Sequence, residues 1–379
     1  MIKEKVITTG SIVMAVASSI DPDPAAAAAA LIDELGTDAA VYLLFVTAEY
    51  PREPLATALF QAWGNKLIGC TSAGNIGAEG FIAAPVVGIA LSGGDLRART
   101  LVIEQISDPA QAIARVLPEL ERLCDPELGR ESFALLLMDG LVMAEEHVTA
   151  GLKPLLGDIP LIGASAGDDL SFTETAVLAG GRFGNDRATI TVLSTTAPFR
   201  PFRMQHYQPR ETVLVITKAT PSRRLVHEIN GMPAAQAFAE ATGVPVADLG
   251  PEHFSSNPVL LRAAGENWVR SIFQVTPDGS LQFFAAIDNG AVLRLGRSDD
   301  AEKQFRESLD AIATDLGTEI TGVLAFDCIL RRLDFARSGL DAAVSRAMAE
   351  YHTAGFSTYG EQFDDFHMNQ TMVGVAFGG

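Results

Sequence analysis

Short apolar runs recur along the chain, each followed by a stretch with helical spacing and then by small residues ending in glycine. Residues 39–46 (AAVYLLFV) have the length and content of a buried strand. Residues 53–64 then place Leu55, Leu59 and Trp63 on one helical face before Gly64, and Leu67-Ile-Gly-Cys-Thr-Ser-Ala-Gly74 follows. The order returns with 132–138 (SFALLLM), a helix over 145–156, and Leu161-Ile-Gly-Ala-Ser-Ala-Gly167, which matches the first segment apart from one inserted residue. A more degenerate version closes the chain with 322–328 (GVLAFDC), a helix over 338–351 and 354–360 (AGFSTYG). Upstream, Pro24 in a first helical turn with Leu31, Ile32 and Leu35 predicts a helix ended near Gly36.

After the first two glycine segments the pattern turns strand-like, at 86–91 and then at 176–179 and 188–193, which predicts mixed sheets. Between 203 and 322 it predicts strands at 212–217, 224–229, 268–275, 281–286 and 291–295 around a helix over 233–242. The expected fold class is α/β and α+β: repeated strand–helix–strand units forming mixed sheets in two domains. The prolines at 198–209 put the boundary there. An N-terminal α/β domain then covers 1–205. A C-terminal domain covers 206–379, divided into an α+β region (206–320) and a third α/β unit (321–379) that is expected to return to the first sheet.

With 379 residues, 48% of them hydrophobic and 20% charged, the chain has the composition of an ordered globular protein with a sizeable core. A net charge of −19 without a basic run excludes nucleic acid and anionic lipid surfaces as expected partners. Cys70, Cys124 and Cys328 show no metal-like spacing and read as reduced thiols, Cys70 as a buried inert one. The apolar stretch behind Lys3 and Lys5 is short and runs into Asp21-Pro-Asp-Pro, unlike a secretory signal, and no stretch approaches the roughly 20 apolar residues of a membrane span. The expectation is a cytoplasmic protein.

Three kinds of chemistry fit the motifs. Gly163-Ala-Ser165-Ala-Gly167 has the G-x-S-x-G pattern of a nucleophile elbow, but the following Asp168-Asp-Leu-Ser opposes an oxyanion and leads toward strand rather than helix, so a serine hydrolase using Ser165 is the third reading and no enzyme is expected. Thr71, Ser72, Ser165 and Asp168, at equivalent strand ends, could line a ligand crevice, while the plainer alternative leaves these segments as turns and close approaches. The six histidines show no HxxxH pairing, but His367 lies between Phe366 and Met368 in a Phe- and Met-rich terminal segment. An imidazole in an apolar wall is what haem iron needs, with Phe366 and Met368 as further cofactor contacts; the alternative is a histidine satisfied by Asp364.

Residues 67–77, 160–168, Gly181-Arg-Phe-Gly184, His227-Glu-Ile-Asn-Gly231-Met-Pro-Ala234, and Gly360-Glu-Gln with His367-Met-Asn-Gln-Thr371 resemble the FIST N-terminal and C-terminal domains over nearly the whole chain. The resemblance implies a bacterial sensory module in signal transduction. Without a kinase or cyclic-di-GMP segment in the sequence, the chain is similar to stand-alone members that bind haem (haem b) and sense nitric oxide. His367 would be the iron ligand, and a partner histidine kinase of a two-component system or a cyclic-di-GMP enzyme would take the signal. The alternative it leaves open is a haem-free sensor of an amino-acid-like metabolite. A homodimer is a further expectation.

Overall fold

The computed structural model describes residues 10–93, 95–125, 129–263 and 265–379, so Lys3 and Lys5 lie outside the described residues. The chain writes one pattern three times. The first repeat runs β1 (Val13–Ser19), α1 (Pro24–Leu35), β2 (Val41–Thr47), α2 (Arg52–Trp63), β3 (Leu67–Ser72), the hairpin β4 (Asn75–Gly77) and β5 (Gly80–Ile82), and β6 (Val86–Ser92). The second runs β7 (Arg97–Glu104), α3 (Pro109–Arg115), α4 (Leu117–Leu123), β8 (Glu131–Met138), α5 (Glu145–Leu156), β9 (Leu161–Ser165), the hairpin β10 (Val177–Ala179) and β11 (Arg182–Gly184), and β12 (Arg187–Thr195).

The third begins with β13 (Phe199–Met204) and is interrupted by an inserted body. That body contains β14 (Tyr207–Thr220), β15 (Leu225–Ile229), β16 (Met232–Pro233), α6 (Ala234–Thr242), α7 (Pro251–Ser256), β17 (Val259–Ala263), β18 (Glu266–Arg270), β19 (Ile272–Val275), β20 (Leu281–Phe283) and β21 (Val292–Ser298). The repeat resumes with α8 (Ala301–Leu316), β22 (Ile320–Cys328), α9 (Ile329–Ser338), α10 (Asp341–Glu350), β23 (Thr353–Thr358), the hairpin β24 (Gly360–Phe363) and β25 (Phe366–Met368), and β26 (Met372–Gly378).

Each repeat forms four strands of a six-stranded sheet and receives the last two from a neighbour. The orders are β1-β6-β2-β3-β10-β11, β7-β12-β8-β9-β24-β25 and β13-β26-β22-β23-β4-β5. The hairpin of the second repeat thus completes the first sheet, that of the third completes the second, and that of the first completes the third. The expected return of the C-terminal unit is present in this form: β24–β25 joins an N-terminal sheet, and β22 and β23 sit in one sheet with the first repeat's hairpin. The inserted body forms its own antiparallel sheet with α6 and α7 on its core.

The central strands are apolar on both faces because each sheet is covered twice. One face of every sheet meets in a shared core, where the rings of Phe45 and Phe356 lie 4.5 Å apart and those of Phe326 and Phe356 5.3 Å, joined by Phe133 and Phe377. The other face is covered by the repeat's own helices: α1 and α2, α3 to α5, and α8 to α10. Burial of such side chains contributes roughly 2 kcal/mol each.

The segments expected as glycine loops are strands, and their first glycines lie mid-strand. A Cβ on Gly69 would sit 1.9 Å from the Leu44 carbonyl oxygen and one on Gly355 1.7 Å from that of Ala325, so the parallel neighbours approach too closely for any side chain. Gly69, Gly163 and Gly355 pair with Leu44, Leu136 and Ala325 in the same register. From there the three segments match with no insertion. The Ala73 N–H donates to the Ser357 carbonyl at 2.9 Å, that of Gly167 to Thr71 at 3.1 Å, and that of Tyr359 to Ser165 at 3.2 Å, a ring of equivalent bonds joining the three repeats.

Candidate functional site

The threefold register makes each repeat a control for the others. In the three hairpins, Ile76 pairs with Phe81, Leu178 with Phe183, and Gln362 with His367. The first two pairs are apolar and pack with helices, Phe81 against α9 and α10 and Phe183 against α2. The third pair faces α5 and is polar. Gln362 Nε2 donates to Ser165 Oγ at 3.0 Å and lies 3.3 Å from His367 Nδ1, and Ser165 Oγ donates to Glu145 Oε1 at 3.2 Å. A donor facing Nδ1 leaves the ring proton on Nε2. Gln362 and Ser165 are fully buried and His367 is 4% exposed. Gly360 makes room for the imidazole, since a Cβ there would fall 2.3 Å from its Cε1.

Charged groups close the seam. Arg224 bridges Glu145, at 2.8 Å, and Glu146, both in the first turn of α5 where the helix dipole also favours carboxylates. Arg224 belongs to the inserted body, as does Ala286, whose N–H donates to Glu146 Oε1 at 3.1 Å. Arg270, at the end of β18, is largely buried. It makes no ion pair among the described residues, its Nε has no hydrogen-bond partner, and burial pulls its guanidinium below its ordinary value. Burial likewise pulls the His367 imidazole down, against the pull of Glu145 and Glu146, with Arg224 and Arg270 adding to the burial effect. The Glu146 side chain is 30% exposed, so the seam reaches solvent between α5 and the inserted body.

The structure separates the residues expected to hold a cofactor. His367 turns toward α5. Met368, on the opposite face of the same strand, is 1% exposed in the shared core, and Phe366 is 45% exposed with its ring 4.6 Å from that of Trp268. Alternation along β25 puts the histidine and its two neighbours on different faces, and what surrounds His367 is polar rather than an apolar wall. These residues do not fit a porphyrin in this conformation. No group of three or more His, Cys, Asp or Glu side chains among the described residues could hold a metal ion. Asp364 does not satisfy His367; it accepts from the Leu161 N–H and pairs with Lys153 at 3.6 Å.

The residues expected to line a crevice do not share one. Thr71 Oγ1 accepts from the Ala176 N–H at 3.1 Å and Ser72 Oγ donates to Asn75 at 2.8 Å, both within their own sheet junctions. Asp168 is an anchor for its loop: it accepts from the backbone of Phe172, Thr173 and Glu174, from Ser171 Oγ at 2.7 Å and from the Tyr359 hydroxyl. Against its burial, these bonds hold its carboxyl below the usual range. Ser165 ends a strand, and a hairpin rather than a helix follows it. The Cys70 thiol is pushed well up by complete burial. Glu145, Glu146, Arg224 and Arg270 were not singled out from sequence, and Gln362 entered only within the terminal segment that carries the family resemblance, with no role of its own. The signal for Gln362 is the spacing shared by the three hairpin pairs, which becomes visible once the glycines are aligned.

These features define a three-repeat α/β scaffold with an inserted body and one polar seam between them. The FIST N domain model matches residues 40–232 and the FIST C domain model residues 234–364, and the chain belongs to the FIST family. No individual curated protein matches it. No helix among the described residues is long and apolar enough to cross a membrane.

Proposed function

We propose that the chain is a small-molecule sensor that binds rather than transforms its ligand, a small zwitterion of the amino-acid kind, in the seam between hairpin β24–β25, α5 and the inserted body. The observation that carries this reading is the replacement of an apolar hairpin pair by Gln362 and His367 beside an unpaired, largely buried Arg270. Buried polar groups cost stability unless paired, and the two equivalent junctions show that the scaffold does not need them. A ligand carboxylate would pair with Arg270, and an ammonium group would find Glu146 and Glu145, which are ion-paired with Arg224. Binding there would move the inserted body against the ring and so alter a surface read by a partner histidine kinase or cyclic-di-GMP enzyme, the output that the family resemblance implies. A thermal-shift panel of amino acids at millimolar concentration tests it: stabilisation growing with concentration is expected for the native chain and its loss in Arg270→Gln. No response to any member of the panel overturns the reading.

The haem-dependent nitric oxide sensor keeps one feature in its favour: the burial of His367 pulls its imidazole below its ordinary value and so favours the neutral form, the one that ligates iron. It requires β25 to rearrange. A saturable Soret band on haem addition, lost in His367→Ala, would establish it in place of the zwitterion reading.

A further inference from the structure

Behind the seam lies a second buried cluster that ligand binding as proposed does not use. Glu361 precedes Gln362 in β24, and alternation turns it to the opposite face, toward the shared core. It is fully buried, and its equivalents in the other sheets are Val177 and Asn75. Glu361 Oε2 accepts from the Thr371 N–H at 3.2 Å and Oγ1 at 2.7 Å, while Oε1 lies 3.5 Å from Thr358 Oγ1. No cation pairs with it among the described residues.

The Arg331 guanidinium, whose charge acts on Glu361, is committed to Asp327 at 2.7 Å and to His206 Nδ1 at 3.2 Å. His206 Nε2 in turn faces Asp334, which also accepts from Ser298. Asp327 is fully buried too, and neither of its oxygens accepts a well-directed hydrogen bond. If both carboxyls here were ionised, Asp327 and Glu361 would share one fully buried cation, Arg331, because Asp334 has partners of its own in His206, Ser298 and Arg337.

We infer that Glu361 is a proton-binding site: it stands as a neutral carboxylic acid in the folded chain, and its proton is coupled to the seam through Gln362 on the other face of the same strand. Burial supports this by pushing the Glu361 carboxyl well up, with Asp327 adding to the effect and Thr371 and Arg331 opposing it, and by raising Asp327 to about 6. On the cluster's side the groups that face Glu361 are Asp327 and Cys328 of β22 and Arg331 of α9; on the seam's side, across the strand, stand His367, Glu145, Glu146, Arg224 and Arg270. The coupling, though not the proton, rests on the ligand reading above.

Infrared spectroscopy of the full chain at neutral pH tests both parts. The expected result is a protonated-carboxyl C=O band that Glu361→Gln removes, Gln362→Leu shifts, and Asp327→Asn weakens by relieving the repulsion. Thermal melts give a second measure. A carboxyl raised on folding adds stability below its unfolded value, about 4.3, and loses it as pH rises toward the folded value. The native chain should therefore lose stability relative to Glu361→Gln across that window. A band that survives Glu361→Gln together with parallel melting curves overturns the proton site. A band lost in Glu361→Gln but unmoved by Gln362→Leu overturns the coupling. An amino-acid panel without effect, by contrast, would remove the ligand reading and leave the Glu361 proton in place.

Discussion

The hairpins of the first and third repeats occupy the same place in neighbouring sheets, yet one lays Ile76 and Phe81 against its helices and the other lays Gln362 and His367. The backbone registers agree, so the difference is not imposed by the fold. It teaches that apolar contact is sufficient at this junction, and that polar groups retained at one of three places answer to something other than stability.

The comparison can be broken most severely by moving it. Leu178→Gln with Phe183→His would put the polar pair where no Glu145, Arg224 or Ser165 can meet it, and the loss of apolar burial plus unmet hydrogen bonds should destabilise the chain by roughly 4 kcal/mol, measured by denaturant unfolding. The opposite graft, Gln362→Leu with His367→Phe, should change stability by no more than about 2 kcal/mol in either direction, because apolar packing offsets the lost bonds. In the same variant, affinity for any amino acid that stabilises the native chain should fall at least about tenfold, roughly 1.4 kcal/mol by calorimetry.

Arg270→Met removes a partly buried cation that forms no ion pair among the described residues and should raise stability by about 1 kcal/mol while abolishing ligand stabilisation. A loss of stability instead would mean that Arg270 is structural. The smallest effect is a pH slope. The folded His367 takes up its proton below the unfolded value of about 6.5, so the unfolded chain binds the extra proton first as pH falls. Stability contributed at neutral pH is lost below about pH 6.5, and His367→Phe should flatten that loss in melts.

Much of the ring was legible because strands covered on both faces read as unbroken apolar runs, as at 41–46, 133–138 and 323–326. Helix α5 was legible to its bounds. Helix α8 was not, because its only large buried residues are Phe305 and Leu309 in a charged stretch, and α9 was hidden by buried Arg331 and Asp334. The division at 205 rested on prolines, yet β13 pairs with β26 and the first repeat's hairpin with β23, so the ring spans both sides of it. His367 was found for an apolar setting that it lacks. Its true neighbours come from α5, β18, β24 and the turn before β15, and no local spacing brings those four together.

Hairpin exchange also bears on how the chain reaches this state. Gly355 cannot gain its antiparallel neighbour until Ile76, near the other end of the chain, is in place, and the same hairpin seals β23 against α10. Pairings this remote in sequence carry a high loop-closure entropy and slow the crossing to the native state. A nascent chain can complete its first sheet when β10–β11 emerges, but the third sheet and the ring close only after the last repeat is made. Until then the β4–β5 hairpin is an open edge, and the ribosome-bound protein carries it without a partner.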